Sequence, residues 1–316
     1  MIWILGASGY IGKAFVTEAK RRKLSYKPIS RRELDYTNFR TFLAALKRAK
    51  PDFVVNAAGF TGKPNVDACE NQKGETVAGN VTLAQTVASA CDVAGVQLGF
   101  VSSGCIYTGA KVRRECGTWA VEHNLNDPLV TELLSQRSER VAGFSEGDEP
   151  NFCFTQDNCS FYSGTKALAE EAMKGFPDFY VWRLRIPFDE FDGHRNYLSK
   201  VQRYAKVYQN WNSVSHRSDF AAACLDSLIQ KVPAGVFNIV NPGYISTQEV
   251  VEKIRHKLKP KWSPDFWQSD DEFYRFGALT PRANCILDSS KLLNVSVKMR
   301  SVDEALEDAL SKWKTQ

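Results

Sequence analysis

Through the first two-thirds of the chain, short apolar runs alternate with longer stretches in which apolar residues recur every three or four positions. The runs predict strands at 1–5, 26–30, 53–58, 97–102, 179–184 and 235–239. The periodic stretches predict helices at about 11–22, 38–49, 74–94, 161–175 and 218–231. Pro51 and Gly95 fall between elements, where breakers belong. Alternation of this kind builds an α/β fold, a doubly wound parallel sheet with helices on both faces.

Two regions leave that rhythm. Residues 108–150 are polar, mixed in charge and too long for an ordinary strand-to-helix connection. A helix is predicted there at about 128–141, and Ser145-Glu146-Gly147-Asp148-Glu149-Pro150 closes the stretch as a turn. It reads either as a surface elaboration or as a lid or subunit contact. Residues 187–215 and 244–316 are also irregular, with helices expected near 246–258 and 302–313. They are assigned to a smaller C-terminal domain, with 216–243 returning to the sheet domain of 1–186.

At 316 residues the chain is long for one compact core, consistent with that division. Hydrophobic residues make up 43% and charged residues 24%, as in water-soluble globular proteins. No apolar run reaches membrane-spanning length and no basic leader precedes the first strand, so a cytoplasmic protein without membrane contact is expected. A net charge of +5 without blocks of like charge suits anionic small molecules and argues against nucleic acid. The eight cysteines form no Cys-x-x-Cys pair, and no metal is expected.

Chemistry enters at the first turn. Gly6-x-x-Gly9-x-x-Gly12 lies between a strand and a helix, the context in which backbone N–H groups seat a dinucleotide pyrophosphate. Gly6 permits the tight turn, Gly9 the approach of phosphate and Gly12 close helix–strand packing; Ser8, Tyr10 and Ile11 complete the seat. After the second strand comes Ser30-Arg31-Arg32, where an NAD site would place an acid on the ribose. Guanidiniums suit a 2′-phosphate, so NADPH is expected ahead of NADH. Far downstream, Tyr162 precedes Lys166 by four residues and shares its helical face. A cation there is expected to lower the phenol's pKa and ease proton transfer.

The glycine turn, the Tyr-x-x-x-Lys pair and their separation resemble the extended short-chain dehydrogenase/reductases, with a Rossmann-type sheet and a substrate domain. Asn56-Ala57-Ala58-Gly59 resembles that family's turn beside the cofactor, Asp35-Tyr36 its adenine contact, and Arg185-Ile186-Pro187 the wall against its nicotinamide. The resemblance implies that Ser103 binds the substrate ketone, Tyr162 donates the proton and Lys166 supports it. The run from Asn56 through Thr61 and Asn65 to Glu70 is similar to the bifunctional 3,5-epimerase/4-reductases that make nucleotide-linked L-rhamnose. So are Gly104-Cys105-Ile106, Pro150-Asn151-Phe152, Arg195-Asn196-Tyr197-Leu198-Ser199-Lys200 and Pro281-Arg282. That resemblance implies Cys105 and Lys200 as acid and base at carbon. It also implies Thr61, Asn65, Ser103, Cys105, Asn196, Lys200 and Arg282 as contacts for a nucleotide-diphosphate sugar.

The reading that follows is an NADPH-dependent enzyme converting a UDP- or dTDP-4-keto-6-deoxy-glucose to the L-rhamnose nucleotide. Two alternatives stand beside it: a plain dTDP-4-dehydrorhamnose-type 4-ketoreductase with an inert Cys105, and a non-catalytic regulatory subunit on the same fold. A nearby cation is expected to bring the Cys105 thiol toward neutrality. The sequence leaves open a homodimer and the nucleotide base.

Overall fold

The computed structural model describes residues 1–63, 65–176 and 178–315; Pro64, inside the Asn56–Glu70 run, lies outside the described residues. Six parallel strands form the central sheet: β1 (Ile2–Leu5), β2 (Tyr26–Ile29), β3 (Phe53–Asn56), β4 (Gln97–Ser103), β5 (Tyr180–Leu184) and β6 (Gly235–Asn238). Their spatial order is β2-β1-β3-β4-β5-β6. The chain moves outward from β1 to β2, then crosses back to β3 on the other side. The carboxyl ends of β1 and β3 therefore flank a switch point, the place where such sheets bind ligands.

Each face of the sheet carries its own core. On one face Phe15, from the helix Tyr10–Arg21, meets Phe220, from the helix Arg217–Ile229, edge to face at 6.0 Å. The other face is covered by the helices Phe39–Ala49, Leu83–Ala94 and Phe161–Met173 around Phe42, Leu46, Val87 and Phe100. β3 is buried along its whole length, which explains its unbroken apolar run. Gly99 in β4 is required by packing: a Cβ there would lie 2.1 Å from the Trp182 ring. A third core, around Phe188, Leu198, Val250, Ile254 and Leu306, gathers residues of the last third.

Three regions differ most from expectation. The strand expected to 58 ends at Asn56, because Asn56 turns its side chain back to accept the Ala58 N–H at 3.1 Å. The helix expected over 74–94 is broken into Lys73–Val77, a π-helical turn Ala78–Thr82, and Leu83–Ala94. Within 108–150, the helix Pro128–Ser135 stops six residues short of expectation; Val141–Ala142 instead joins Ala110–Arg113 and Trp119–Glu122 in a three-stranded antiparallel sheet. The insertion packs Val112, Leu125, Val130 and Leu134 onto Trp211 and Ile286.

Candidate active site

The glycine turn is dictated by backbone contacts. Gly6 has φ of +70°, and a Cβ on it would lie 2.7 Å from the Ala58 backbone. A Cβ on Gly12 would lie 2.1 Å from the Gly6 carbonyl oxygen. Gly9 donates its N–H to Gly6 at 2.9 Å and starts the helix with no side-chain acceptor on its first N–H groups. Ser8 and Gly9 are exposed, while Tyr10 and Ile11 are half-buried. Asn56, Ala57, Ala58 and Gly59 run alongside, tied by the Ala57 N–H to the Leu5 carbonyl at 3.1 Å.

At the end of β2, Arg31 and Arg32 stand exposed. Glu33, which the reading of this turn passed over, folds its carboxylate back onto the Ser30 N–H at 3.1 Å and hydroxyl at 2.9 Å. An acid therefore does stand beside the strand end, occupied by Ser30. Tyr36 is buried against Phe42, and Asp35 accepts from Thr37.

The structure brings Ser103, Cys105, Tyr162 and Lys166 onto two adjoining elements. Ser103 ends β4 and accepts the Cys105 N–H at 3.2 Å, capping the short turn Gly104–Ile106. Tyr162 and Lys166 lie on Phe161–Met173, which Ser160 caps and whose Phe161 N–H also donates to Glu70 at 2.7 Å. Lys166 is buried, with its ammonium 3.2 Å from the Val101 carbonyl and 4.7 Å from the Phe100 ring centre.

Two pKa expectations need correction. Burial pushes the Tyr162 phenol up, with Cys105 and Cys69 adding to it and Arg195 and Arg185 opposing. Lys166 is itself pushed down by burial, and its ammonium is turned to Val101. The protein alone thus does not depress the phenol. Cys105 is likewise raised, because burial outweighs Ser103, Ser163, Arg185 and Lys166, so it remains a thiol.

The other expected residues divide. Lys200, on the short helix Tyr197–Val201, lines a cleft of about 370 Å³ with Asn65, His194, Arg203 and Tyr204. Burial first, then Arg195 and Arg282, pushes its pKa down. Arg195 donates to the Thr61 hydroxyl at 2.7 Å and the Gly62 carbonyl at 3.0 Å. Arg282 holds both carboxylate oxygens of Asp67, at 2.6 and 2.7 Å. Asn196 is fully buried; its amide donates to Asp189 and Phe191 while its oxygen caps the Lys200 helix at Leu198. Its polar atoms are thereby used in holding that helix. Arg185 turns its guanidinium inward to Asn212 and the Ala283 carbonyl, leaving Ile186, at φ of +36°, and Pro187 on the rim.

Asn80, at the π-helical turn, was missed. Its buried amide accepts the Phe60 N–H and donates to the Phe60 carbonyl and the Thr165 hydroxyl, joining the post-β3 loop to the Tyr162 helix. The available signal was Gly79-Asn80 inside an otherwise helical run; a Cβ on Gly79 would lie 2.6 Å from Phe60. Among the described residues no group of three or more His, Cys, Asp or Glu could hold a metal, and no helix is long and apolar enough to cross a membrane.

Sheet order and glycine turn define a Rossmann-type fold. Residues 1–129 match the RmlD substrate binding domain family. The chain is 30% identical over 304 residues to the bifunctional dTDP-4-dehydrorhamnose 3,5-epimerase/dTDP-4-dehydrorhamnose reductase of Arabidopsis thaliana, covering 96% of this chain and 90% of that protein. A trifunctional UDP-glucose 4,6-dehydratase/UDP-4-keto-6-deoxy-D-glucose 3,5-epimerase/UDP-4-keto-L-rhamnose-reductase of the same plant is 29% identical, over 96% of this chain and 40% of the longer protein. In fold, the L780 UDP-rhamnose synthase of Acanthamoeba polyphaga mimivirus superposes with a TM-score of 0.82 at 21% identity, covering 99% of both chains. A dTDP-4-dehydrorhamnose reductase from Bacillus anthracis, in complex with NADP, gives 0.74 at 19% identity over 99% of this chain and 97% of that one. The chain belongs to the family of nucleotide-rhamnose synthases and dTDP-4-dehydrorhamnose reductases, and it is an enzyme.

Proposed function

We propose that the protein reduces the 4-keto group of a UDP- or dTDP-linked 4-keto-6-deoxyhexose with NADPH, and first inverts C3 and C5 to give the L-rhamnose configuration. The glycine turn suits a nicotinamide dinucleotide, since Gly6 and Gly12 let it close tightly ahead of a helix whose first N–H groups have no side-chain acceptor, and the exposed Arg31 and Arg32 suit a 2′-phosphate. The bound cofactor supplies hydride to C4. Ser103 hydrogen-bonds the ketone oxygen, and Tyr162 gives that oxygen its phenolic proton. Lys166, one turn along, supplies the positive charge that favours the phenolate left behind.

Epimerisation asks more. The 4-keto group acidifies the hydrogens on C3 and C5; a base must remove one and an acid return one on the opposite face. The observation that carries this reading is that burial drives two groups apart: Cys105 upward, as a proton-holding thiol, and Lys200 downward, toward a neutral amine able to accept a proton. Arg195 acts on both Tyr162 and Lys200, so its charge lies near each.

The test is incubation with the 4-keto-6-deoxy sugar nucleotide and NADPH in heavy water, read by NMR. Cys105→Ser and Lys200→Ala should each cut deuterium entry at C3 or C5 by about 100-fold or more. Both should still reduce an already epimerised 4-keto-L-rhamnose nucleotide. Full deuterium entry in both variants would leave a plain 4-ketoreductase.

A further inference from the structure

Behind the Ser103–Tyr162–Lys166 arrangement lies a buried charge network that this chemistry has not used. Glu170 stands four residues after Lys166 on the same helical face and is 8% exposed. Its carboxylate receives Arg183 of β5 through Nε at 2.9 Å and a terminal nitrogen at 2.7 Å. It also accepts the hydroxyl of Ser102 at 2.5 Å, one residue before Ser103. Arg183 goes on to Tyr107 at 3.0 Å, and Tyr107 donates to the Asp148 carbonyl at 2.6 Å. Tyr107 stacks on Phe144 at 4.7 Å, and Asp148 pairs with Lys111 at 2.7 Å, so both ends of the insertion are anchored here. A desolvated pair replaceable by apolar residues is weak evidence for stability alone.

We propose that Glu170 is a positioning residue for the reduction: clamped by Arg183, its carboxylate fixes the end of β4 through Ser102 and presents negative charge to Lys166. The proposal rests on the roles given above to Ser103, Tyr162 and Lys166. Lys166 meets the Val101 carbonyl and Phe100 ring of β4 and the influence of the Cys105 thiol from the following turn. From the segment 68–82 come Glu70, at the Phe161 N–H, and Lys73, over the Phe161 ring. Against the burial that disfavours its charge, the Glu170 carboxylate acts in the opposite sense. Glu170 thus helps Lys166 stay charged where Tyr162 needs a cation. It also locks Ser103 to the same helix, because Ser102 and Ser103 share one strand end. The insertion, through Tyr107 and Asp148, buttresses this clamp from the far side.

The experiment measures kcat for 4-keto reduction against pH, together with thermal midpoints, in Glu170→Gln, Arg183→Met and the double variant. Either single change leaves a buried partner uncompensated and lowers the midpoint. The double variant removes both charges and should recover the midpoint. Its kcat should nonetheless fall by about 10- to 100-fold, with the alkaline limb moved about one unit lower in pH and KM within about twofold. Wild-type kcat and pH profile in the double variant would overturn the proposal. If that variant does not fold, Ser102→Ala decides: a lower kcat with an unmoved alkaline limb supports the link through β4, and an unchanged kcat overturns it. Tyr162→Phe, run in parallel, tests the underlying roles separately. Undiminished reduction there would remove the proton donor whatever Glu170 does.

Discussion

The glycine turn after β1 and the cleft around Lys200 are built by opposite means. The turn is backbone against backbone: Gly6 against Ala58, Gly12 against Gly6, all within the first sixty residues. The cleft is side chain against side chain across the chain. Arg195 reaches Thr61 and Gly62, and Arg282 reaches Asp67, over separations of 133 to 215 residues. Backbone contacts tolerate no added atom, whereas side-chain bridges can be loosened one at a time. Damage to the turn should therefore be abrupt, and damage to the cleft graded.

The largest effect is expected at Gly12. A methyl there meets a carbonyl oxygen that cannot move without displacing the turn, so overpacking of about 3 kcal/mol is expected. Gly12→Ala should weaken NADPH by about 100-fold, measured by quenching of protein fluorescence, with secondary structure retained. Wild-type affinity would break the comparison, because the turn would then be as forgiving as the cleft.

The same contrast explains what could be read from the sequence. The six strands, the glycine turn and the Tyr162–Lys166 face are local patterns, and the structure places each of those strands and helices near its expected position. The partners of Asn196, Asp189 and Phe191, give no signal in a motif match. Glu33 escaped because the strand end was read by adjacency, while its carboxylate returns from three residues on. The directions of Tyr162 and Cys105 failed for a different reason. Spacing reveals a neighbouring charge but not desolvation, and here burial is the larger influence on both.

A middle-sized effect is expected from the Arg282–Asp67 bridge. Its two parallel hydrogen bonds hold the loop after β3 against the segment carrying Thr280, which also donates to Asp67. Arg282→Lys keeps the charge and loses the two-pronged grip. KM for the nucleotide sugar should rise about tenfold, with kcat within about twofold and NADPH affinity unchanged. Steady-state kinetics with cofactor saturating separates these quantities. An equal loss of NADPH affinity would mean that the loop serves the turn as much as the cleft.

The smallest effect on stability, and the sharpest on chemistry, is expected at Lys200. Burial and two guanidiniums disfavour its ammonium, so the folded protein binds this proton less tightly than the unfolded chain does. A lysine lowered on folding costs stability below its folded pKa. That cost fades as pH rises toward the ordinary lysine range, because there the unfolded chain loses its proton too. Lys200→Met should therefore raise the thermal midpoint at neutral pH, and the gain should shrink as the medium becomes alkaline. Deuterium entry at C3 and C5 should move the other way in the intact enzyme, increasing with pH and levelling off below the range of a free lysine, as the neutral amine becomes available. The methionine variant should have lost that exchange. A gain in stability together with a loss of exchange would mark Lys200 as a residue kept for activity at a cost to the fold. A variant that gains nothing in stability, or an exchange rate flat with pH, would make Lys200 an ordinary solvated lysine and remove it as the base for exchange.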